Sequence, residues 1–154
     1  MNVVKGIETM DKINVKFVRE NAHLPTYGSA EAAGADLYAC LDEPVTIEPG
    51  CTHMIPTGLA MEIPKGCAGL IFARSSMGAK RHLAPANKVG VIDSDYRGEI
   101  SVALHNHGLT PQTVNPGERV AQLLVMPVYT PGFEQVTELD DTARGAGGFG
   151  STGK

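Results

Sequence analysis

Proline interrupts this sequence so often that few stretches are long enough for a helix. The prolines and Pro-Gly pairs that punctuate it are Pro25, Pro44, Pro49-Gly50, Pro64, Pro85, Pro111, Pro116-Gly117 and Pro131-Gly132. Because proline lacks a backbone N–H and clashes with the preceding helical turn, it confines the chain to turns and strand ends. We therefore expect a fold built from short strands.

Apolar residues alternate with polar or small ones between these breaks. The alternating sets are Ile13, Val15 and Phe17; Val45 and Ile47; Leu59, Met61 and Ile63; and Ile100, Val102 and Leu104. A period of two is typical of strands with one buried face. With 154 residues, enough for one domain, the sequence predicts an all-β fold over residues 1–140, a distorted jelly roll or β-clip barrel. Only Ser75 to Lys80 favours a helix, which Gly78 keeps short.

Residues 141–154 differ in character from the rest of the chain. The run from Arg144 to Lys154 is mostly glycine. Such a composition buries too little apolar surface to offset the entropy of ordering. We expect a flexible C-terminal lid segment of the same domain.

Composition argues against several classes of protein. The formal net charge is −4, so we expect no nucleic-acid surface. The stretch from Met1 to Lys12 is charged and has no apolar run suited to a signal peptide or membrane span, which predicts a soluble, cytoplasmic protein. Cys40, Cys51 and Cys67 are too few and too widely spaced for a disulfide framework, and we expect three buried thiols.

Three short patterns imitate cofactor or metal motifs. Gly145 to Gly150 matches a dinucleotide fingerprint and Gly148 to Lys154 part of a P-loop, but the sequence ends before the helix that either motif requires. His105 and His107 have no third ligand nearby before Glu118. We therefore expect no cofactor site at any of the three.

The segment from Asn87 to Glu99 carries acids and a tyrosine in a polar turn. Apolar Val89, Val91 and Ile92 precede it, and Ile100, Val102 and Leu104 follow it. This arrangement predicts a β-hairpin. Taken alone, Asp93 and Asp95 are better explained as turn formers than as functional groups.

Five blocks in order resemble the five motifs of the trimeric dUTPase family. They are Ala33–Tyr38, Ala73–Gly78, Gly90–Glu99, Gly117–Leu123 and Arg144–Thr152. The resemblance implies a jelly-roll homotrimer with shared active sites and the substrate dUTP. It implies Mg²⁺-dependent hydrolysis to dUMP and pyrophosphate, which keeps uracil out of DNA and supplies dUMP for dTMP synthesis.

The resemblance also implies residue roles. Asp93 would be the general base that activates water for in-line attack on the α-phosphorus. Tyr96 would pack on the deoxyribose and leave no room for a 2′-hydroxyl. Uracil would bind near Asn87, Val91, Ile92 and Ser101.

The remaining implied contacts concern the triphosphate. The residues that would bind it are Arg74, Ser75, Ser76 and Gln122, with Arg144, Gly150 and Ser151 from the C-terminal segment. In the same segment, Phe149 would stack on the base. Asp36 would support the magnesium waters or an arginine. From local sequence alone, Asp36 is as well explained as a turn-capping residue after Gly34.

One departure from the family pattern keeps other functions open. The second motif usually reads Pro-Arg-Ser-Gly, but Ala73 to Ser76 reads Ala-Arg-Ser-Ser, which resembles dCTP deaminases. Those enzymes carry a catalytic Glu where this sequence has Ala103, which favours hydrolysis. A non-catalytic nucleotide or protein-binding module is a third possibility, because fold does not determine function.

Overall fold

The structure, a computed structural model, describes residues 12–148, and these form eleven strands and one five-residue helix. The strands are β1 (Val15–Phe17), β2 (Thr26–Tyr27), β3 (Ala35–Tyr38), β4 (Val45–Ile47), β5 (Thr52–Met61), β6 (Cys67–Phe72), β7 (Leu83–Pro85), β8 (Gly90–Ile92), β9 (Ile100–Asn106), β10 (Gln112–Val114) and β11 (Arg119–Pro127). The helix, Ser76–Lys80, is of the π type. Within residues 12–148, no helix has the length and apolar character needed to cross a bilayer.

The strands form three antiparallel sheets around one core. The first sheet has the order β1-β5-β9-β7, the second β2-β3-β11-β6-β8, and β4 pairs with β10 in a two-stranded ribbon. The sheets of the described region stay separate and do not close into a barrel. The prediction of an all-β domain with one short helix at Ser75 to Lys80 is confirmed.

Alternation along the strands separates the core from the surface. Ile100, Val102 and Leu104 of β9 are buried, and the residues between them are only partly covered. Core side chains of both large sheets, among them Leu37 of β3 and Leu59 of β5, form one cluster. The period-two segments were therefore correctly predicted as strands, although β5 begins seven residues before Leu59.

The predicted hairpin is wrong, because its two strands belong to different sheets. β8 pairs with β6, Ile92 opposite Gly69, whereas β9 pairs with β5 and β7. Residues 93–99, which we call the 93–99 loop, pass from one sheet to the other. Strand pairing here follows the packing of the whole domain, and a polar turn between apolar runs does not reveal it.

The prediction of three buried cysteines is also wrong. Cys40 is buried and Cys67 is partly covered, but Cys51 is exposed. Cys51 lies directly before β5, where the strand begins beyond the edge of the core. All three thiols are free.

Asn106 is a fully buried polar residue at the end of β9. Its side-chain amide donates to the carbonyl oxygens of Ile47 at 2.9 Å and Thr110 at 2.8 Å, and its Oδ1 accepts from the backbone N–H of Gly108 at 2.9 Å. Asn106 thus replaces water for three backbone groups, one at the end of β4 and two in the loop after β9.

Replacing Asn106 with Ala should lower the free energy of unfolding by about 1–3 kcal/mol, because buried backbone groups would lose their partner. Urea unfolding at one fixed protein concentration measures this. The matched control is Asn21→Ala at an exposed turn, expected to change stability by less than about 0.5 kcal/mol. Equal effects of the two substitutions would contradict the assigned role.

Candidate functional site

A cavity of about 260 Å³ opens on the face of the five-stranded sheet that points away from the core, which we call the outer face. Its lining residues are Gly28, Ala32, Gly34, Asp36, Arg74, Ser75, Arg119 and Gln122. Four of them were predicted from the sequence: Asp36, Arg74, Ser75 and Gln122. Two arginines and one carboxylate leave the cavity with a net positive charge suited to an anion.

Asp36 organises the charges in this cavity. It lies within β3 with 8% of its surface exposed. Its Oδ1 accepts a hydrogen bond from Nε of Arg74 at 2.6 Å, and its Oδ2 accepts one from Nη1 of Arg119 at 3.1 Å. A buried carboxylate is tolerated when it is paired and hydrogen-bonded, as here. The turn-capping interpretation of Asp36 is therefore wrong, and support of an arginine is what the geometry shows.

Arg74 is held from several sides. Besides Asp36, its guanidinium contacts Oγ of Ser76 at 3.2 Å and the carbonyl oxygen of Arg119 at 3.4 Å. The short helix begins just after it, and the N–H groups of Met77 and Gly78 donate to the carbonyl of Arg74. Ser75 and Ser76 at the start of this helix are both exposed. Ser75 lines the cavity beside this fixed cation, whereas Ser76 is connected to it through its contact with Arg74.

Gln122 lines the cavity because the strand register places it there. It lies opposite Asp36 of β3 and opposite Phe72 of β6. Its Nε2 donates to the carbonyl of Ala73 at 2.9 Å. A Cβ on Gly34 would come within 2.6 Å of Oε1 of Gln122, so a larger residue there would force the Gln122 side chain to move.

Sequence analysis missed Arg119. It lies in the fourth block, and the register sets it opposite Tyr38, on the outer face beside Asp36. The pairing between residues 119 and 121 is irregular, and simple alternation along β11 breaks there. The position of Arg119 within the block Gly117–Leu123 was the feature that could have identified it as a site residue. The neighbouring sequence does not distinguish it from an ordinary solvent-exposed arginine on a strand.

The predicted general base and the predicted sugar contact share the 93–99 loop. Asp93 is exposed, and its carbonyl accepts from the N–H of Tyr96 at 3.2 Å, which forms a turn. The Tyr96 hydroxyl donates to the carbonyl of Glu99 at 3.0 Å, and the ring covers Gly98 so closely that a Cβ there would overlap it. Tyr96 is therefore held back against its own loop.

The predicted uracil contacts lie beside this loop. Val91 and Ile92 belong to β8, which is an edge strand, so one side of its backbone has no strand partner among residues 12–148. Asn87 is exposed in the turn before β8. Ser101 lies on β9, on the partly covered face.

The cavity and the 93–99 loop are far apart within one chain. Asp36, Gln122 and Phe72 lie side by side in one row across β3, β11 and β6. Asp93 follows β8, the strand next to β6, and lies four residues away from that row along the strand direction. With strands about 4.8 Å apart and a rise of about 3.3 Å per residue, the backbone positions of Asp36 and Asp93 are roughly 20 Å apart. A single chain therefore does not bring them into one site.

Arg144 is exposed and makes a local turn. Its Nε donates to the carbonyl of Gly147 at 2.8 Å, and the N–H of Gly145 reaches the Thr142 hydroxyl at 3.1 Å. The other predicted contacts of this segment, Phe149, Gly150 and Ser151, lie outside the described residues.

Residues 12–148 contain no group of three His, Cys, Asp or Glu side chains arranged to hold a metal ion. The rings of His105 and His107 are 4.4 Å apart, and Nζ of Lys88 is 3.5 Å from Nε2 of His107. Desolvation, with the charge of Lys88, lowers the pKa of His107 below its ordinary value. A neighbouring ammonium group disfavours a cation at this pair.

Comparison with known proteins relates these features to one family. A sequence model of the dUTPase family matches residues 20–153. The deoxyuridine 5′-triphosphate nucleotidohydrolase of Janthinobacterium sp. (strain Marseille) is 51% identical over 148 residues, which cover 94% of this chain and 99% of the relative. That of Desulfitobacterium hafniense (strain DSM 10664 / DCB-2) is also 51% identical, over 92% of this chain and 96% of the relative.

Phage dUTPases are among the solved structures of similar shape. A variant of the Staphylococcus bacteriophage 80alpha dUTPase with dUpNHpp matches with a TM-score of 0.85 and 29% identity, covering 94% of this chain and 99% of that one. A dUTPase variant from phage phi11 of S. aureus, described with a structural Mg(II) ion, matches with a TM-score of 0.75 and 27% identity, over 83% and 98%. The fold is therefore the jelly roll of these proteins.

Arg119→Met should weaken the binding of tripolyphosphate at least about 10-fold, because a charge-assisted hydrogen bond contributes roughly 1.5–3 kcal/mol. Isothermal titration at one salt concentration measures the affinity. Lys65→Met, which removes an exposed cation outside the cavity lining, is the matched control and should leave the affinity unchanged. An Arg119→Met protein with unaltered affinity would show that Arg119 only supports Asp36.

Proposed function

Because the chain belongs to the dUTPase family and hydrolyses dUTP, we propose that it cleaves between the α and β phosphates with Asp93 as general base. The observation that carries this proposal is the cavity in which Asp36 holds Arg74 and Arg119 side by side. Two fixed guanidinium groups suit a ligand with several phosphates. The products are dUMP and pyrophosphate, so the enzyme lowers the dUTP available to DNA synthesis and supplies dUMP for dTMP synthesis.

The triphosphate binds in this cavity. Arg74 and Arg119 face its oxygens, the hydroxyls of Ser75 and Ser76 donate to them, and Gln122 contributes a neutral contact. Asp36 keeps the arginines in place before the ligand arrives, so little rearrangement is needed on binding. Preorganised charge of this kind stabilises the charge that develops on the phosphates during attack.

Magnesium would fit this site as an ion bound mainly by the phosphates of the substrate. Both oxygens of Asp36 already accept hydrogen bonds from guanidinium groups, so the carboxylate is not open as a direct ligand. Mg²⁺ keeps several waters and is usually held by substrate phosphates with few protein ligands. When bound, it neutralises phosphate charge and aligns the leaving group. Asp36 acts toward it through water and through the arginines.

Asp93 removes a proton from the attacking water. Its carboxylate is exposed at the end of β8, and the turn closed by the N–H of Tyr96 fixes its backbone. A general base must reach its water without blocking the in-line path to the α-phosphorus. An exposed residue at the start of the 93–99 loop is accessible to such a water.

Base and sugar selection come from the same region. The open backbone edge of β8 at Val91 and Ile92, with Asn87 and Ser101 nearby, binds uracil. The rigid strand near C5 rejects a thymine methyl by steric overlap. Tyr96 packs on the deoxyribose, so a 2′-hydroxyl has no room.

The complete site is formed by more than one subunit of a homotrimer. The roughly 20 Å between Asp93 and Asp36 in one chain exceeds what a bound triphosphate spans, whereas a neighbouring copy can supply the missing half. The outer face between them is apolar, lined by Leu70, Phe72, Val91, Leu124 and Met126. An exposed antiparallel sheet face is ordinarily polar, so a second copy is the partner that suits this one.

The C-terminal segment completes the site as a lid. After β11 the chain carries highly exposed apolar residues, including Tyr129, Phe133 and Leu139. Burying such apolar side chains against another subunit would stabilise the assembly. The segment then brings Arg144 to the phosphates and Phe149, Gly150 and Ser151 over the nucleotide.

Deamination is the weaker alternative. The Ala73–Ser76 string suggested it, but the relatives that are 51% identical are nucleotidohydrolases. Ala103, at the position where deaminases carry their catalytic Glu, has no group to move a proton. Ammonia release from dCTP would support deamination.

Asp93→Asn should retain nucleotide binding and lose activity by ~10²–10⁴-fold, because an amide cannot accept the proton from water. Pyrophosphate release from dUTP measures turnover, and titration with dUMP measures binding. Asp95→Asn, two residues further along the same loop, is the matched control and should keep most activity. Near-normal kcat in a folded Asp93→Asn protein would remove Asp93 from the mechanism.

Mixing two inactive proteins tests the shared site. Asp93→Asn and Arg74→Met chains are unfolded together and refolded as mixed trimers. Going round the three-fold axis, one site in each mixed trimer combines an intact Asp93 with an intact Arg74. Equal amounts should therefore restore about a quarter of wild-type activity.

Each variant refolded alone is the control for this mixing experiment. Native mass spectrometry establishes that mixed trimers have formed. Mixed trimers as inactive as their parents would place Asp93 and Arg74 of a working site in the same chain.

A further inference from the structure

The carboxylate of Glu99 ties the end of the 93–99 loop to the body of the domain. Arg19 donates to it with two groups, Nε to Oε1 at 2.6 Å and Nη2 to Oε2 at 3.0 Å. The backbone N–H of Gly58 donates to Oε1 at 2.9 Å. A bidentate guanidinium and a backbone donor fix both the position and the plane of this carboxylate.

The surroundings of Gly58 leave this anchor little room to move. Gly58 has φ of +71°, and a Cβ there would lie 2.7 Å from Cβ of Ala22 and 2.9 Å from Sγ of Cys40. The carbonyl of Gly58 accepts from the N–H of Val18 at 2.8 Å. Segments far apart in sequence thus meet where Glu99 is bound, at a position that only glycine suits.

The ion pair keeps Glu99 charged. The hydrogen bonds from Arg19 are the main cause that lowers the pKa of Glu99 below its ordinary value; burial opposes them, and the Gly58 N–H adds to them. The pair therefore contributes stability above the ordinary pKa of a glutamate, and that contribution is lost as the pH falls through the lowered value.

Glu99 connects this anchor to the substrate-facing side of the loop. Its backbone carbonyl accepts the hydrogen bond from the Tyr96 hydroxyl at 3.0 Å. The side chain of Glu99 fixes its backbone, the backbone fixes the hydroxyl, and the hydroxyl fixes the ring over Gly98. The position of the ring thus depends on Arg19, which lies 80 residues earlier in the chain.

We infer that Glu99 is a positioning residue for sugar selection, which holds the Tyr96 ring through its contacts with Arg19 and Gly58. This inference rests on the proposed role of Tyr96 against the deoxyribose. A ring held firmly excludes a 2′-hydroxyl, whereas a ring that can swing aside admits one. Loss of the anchor therefore reduces discrimination between dUTP and UTP as well as turnover.

The experiment measures kcat and KM for dUTP and UTP in the trimeric enzyme, together with the melting temperature. Glu99→Ala and Arg19→Met should each lower the dUTP/UTP ratio of kcat/KM by about 10-fold or more, since a misplacement of about 1 Å can cost ~10²-fold in rate. The double variant should be little worse than either single one, because both remove the same contact. Glu99→Gln keeps an acceptor for Gly58 and Arg19, and should retain most of the ratio.

Asp42→Asn is the matched control, because Asp42 acts on Arg19 only through its charge. It should leave the ratio unchanged. If Glu99→Ala does not fold, Arg19→Met carries the test, since it leaves the contact with Gly58 in place.

Tyr96→Ala separates this inference from the function on which it rests. An unchanged ratio in Tyr96→Ala would overturn the role of Tyr96 itself. If Tyr96→Ala lowers the dUTP/UTP ratio but folded Glu99→Ala and Arg19→Met keep the wild-type ratio, the inference alone is overturned. In that case, a fall in the melting temperature of Glu99→Ala and Arg19→Met would show that the ion pair only stabilises the fold.

Discussion

The site depends on a buried carboxylate shared by two arginines. Asp36 lies inside a strand, where an unpaired charge would be strongly unfavourable, and each of its oxygens binds a guanidinium group from a different element. Arg74 follows β6 and Arg119 begins β11, so the pairing also fixes three strands relative to one another. Without Asp36, two like charges would face each other across an empty cavity. The net positive charge of the cavity, on which the proposed binding of phosphates rests, follows from this one arrangement.

Strand register then decides which groups can work together. The register of β3, β11 and β6 aligns Asp36, Gln122 and Phe72 in one row, which places Asp36 and Gln122 at the cavity. The pairing of β6 with β8 places Asp93 at the far end of β8. The apolar outer face lies between the two halves. In the proposed assembly, a second copy would cover that face, remove it from water and supply the other half of each site. The proposed assembly and the proposed shared site would then both follow from the same sheet.

The 93–99 loop shows why local patterns mislead about pairing. Apolar runs flank a polar turn as in a hairpin, yet the loop connects two sheets. What holds it is a contact with Arg19 and Gly58, both distant in sequence. Because these contacts hold the loop in place, its two flanking strands need not form hydrogen bonds with each other. Neither the pairing partners of β8 and β9 nor the anchor of Glu99 could be read from residues 87–104 alone.

Sequence by itself determined the all-β class, the short helix after Arg74, and half of the residues that line the cavity, because proline spacing, alternation and ordered blocks are local properties. It left open whether Asp36 capped a turn or supported an arginine, and it missed Arg119. Only the tertiary structure decided these points, since they depend on which strands lie side by side. Burial makes an unpaired carboxylate costly, and the register supplies the two guanidinium groups that make it stable.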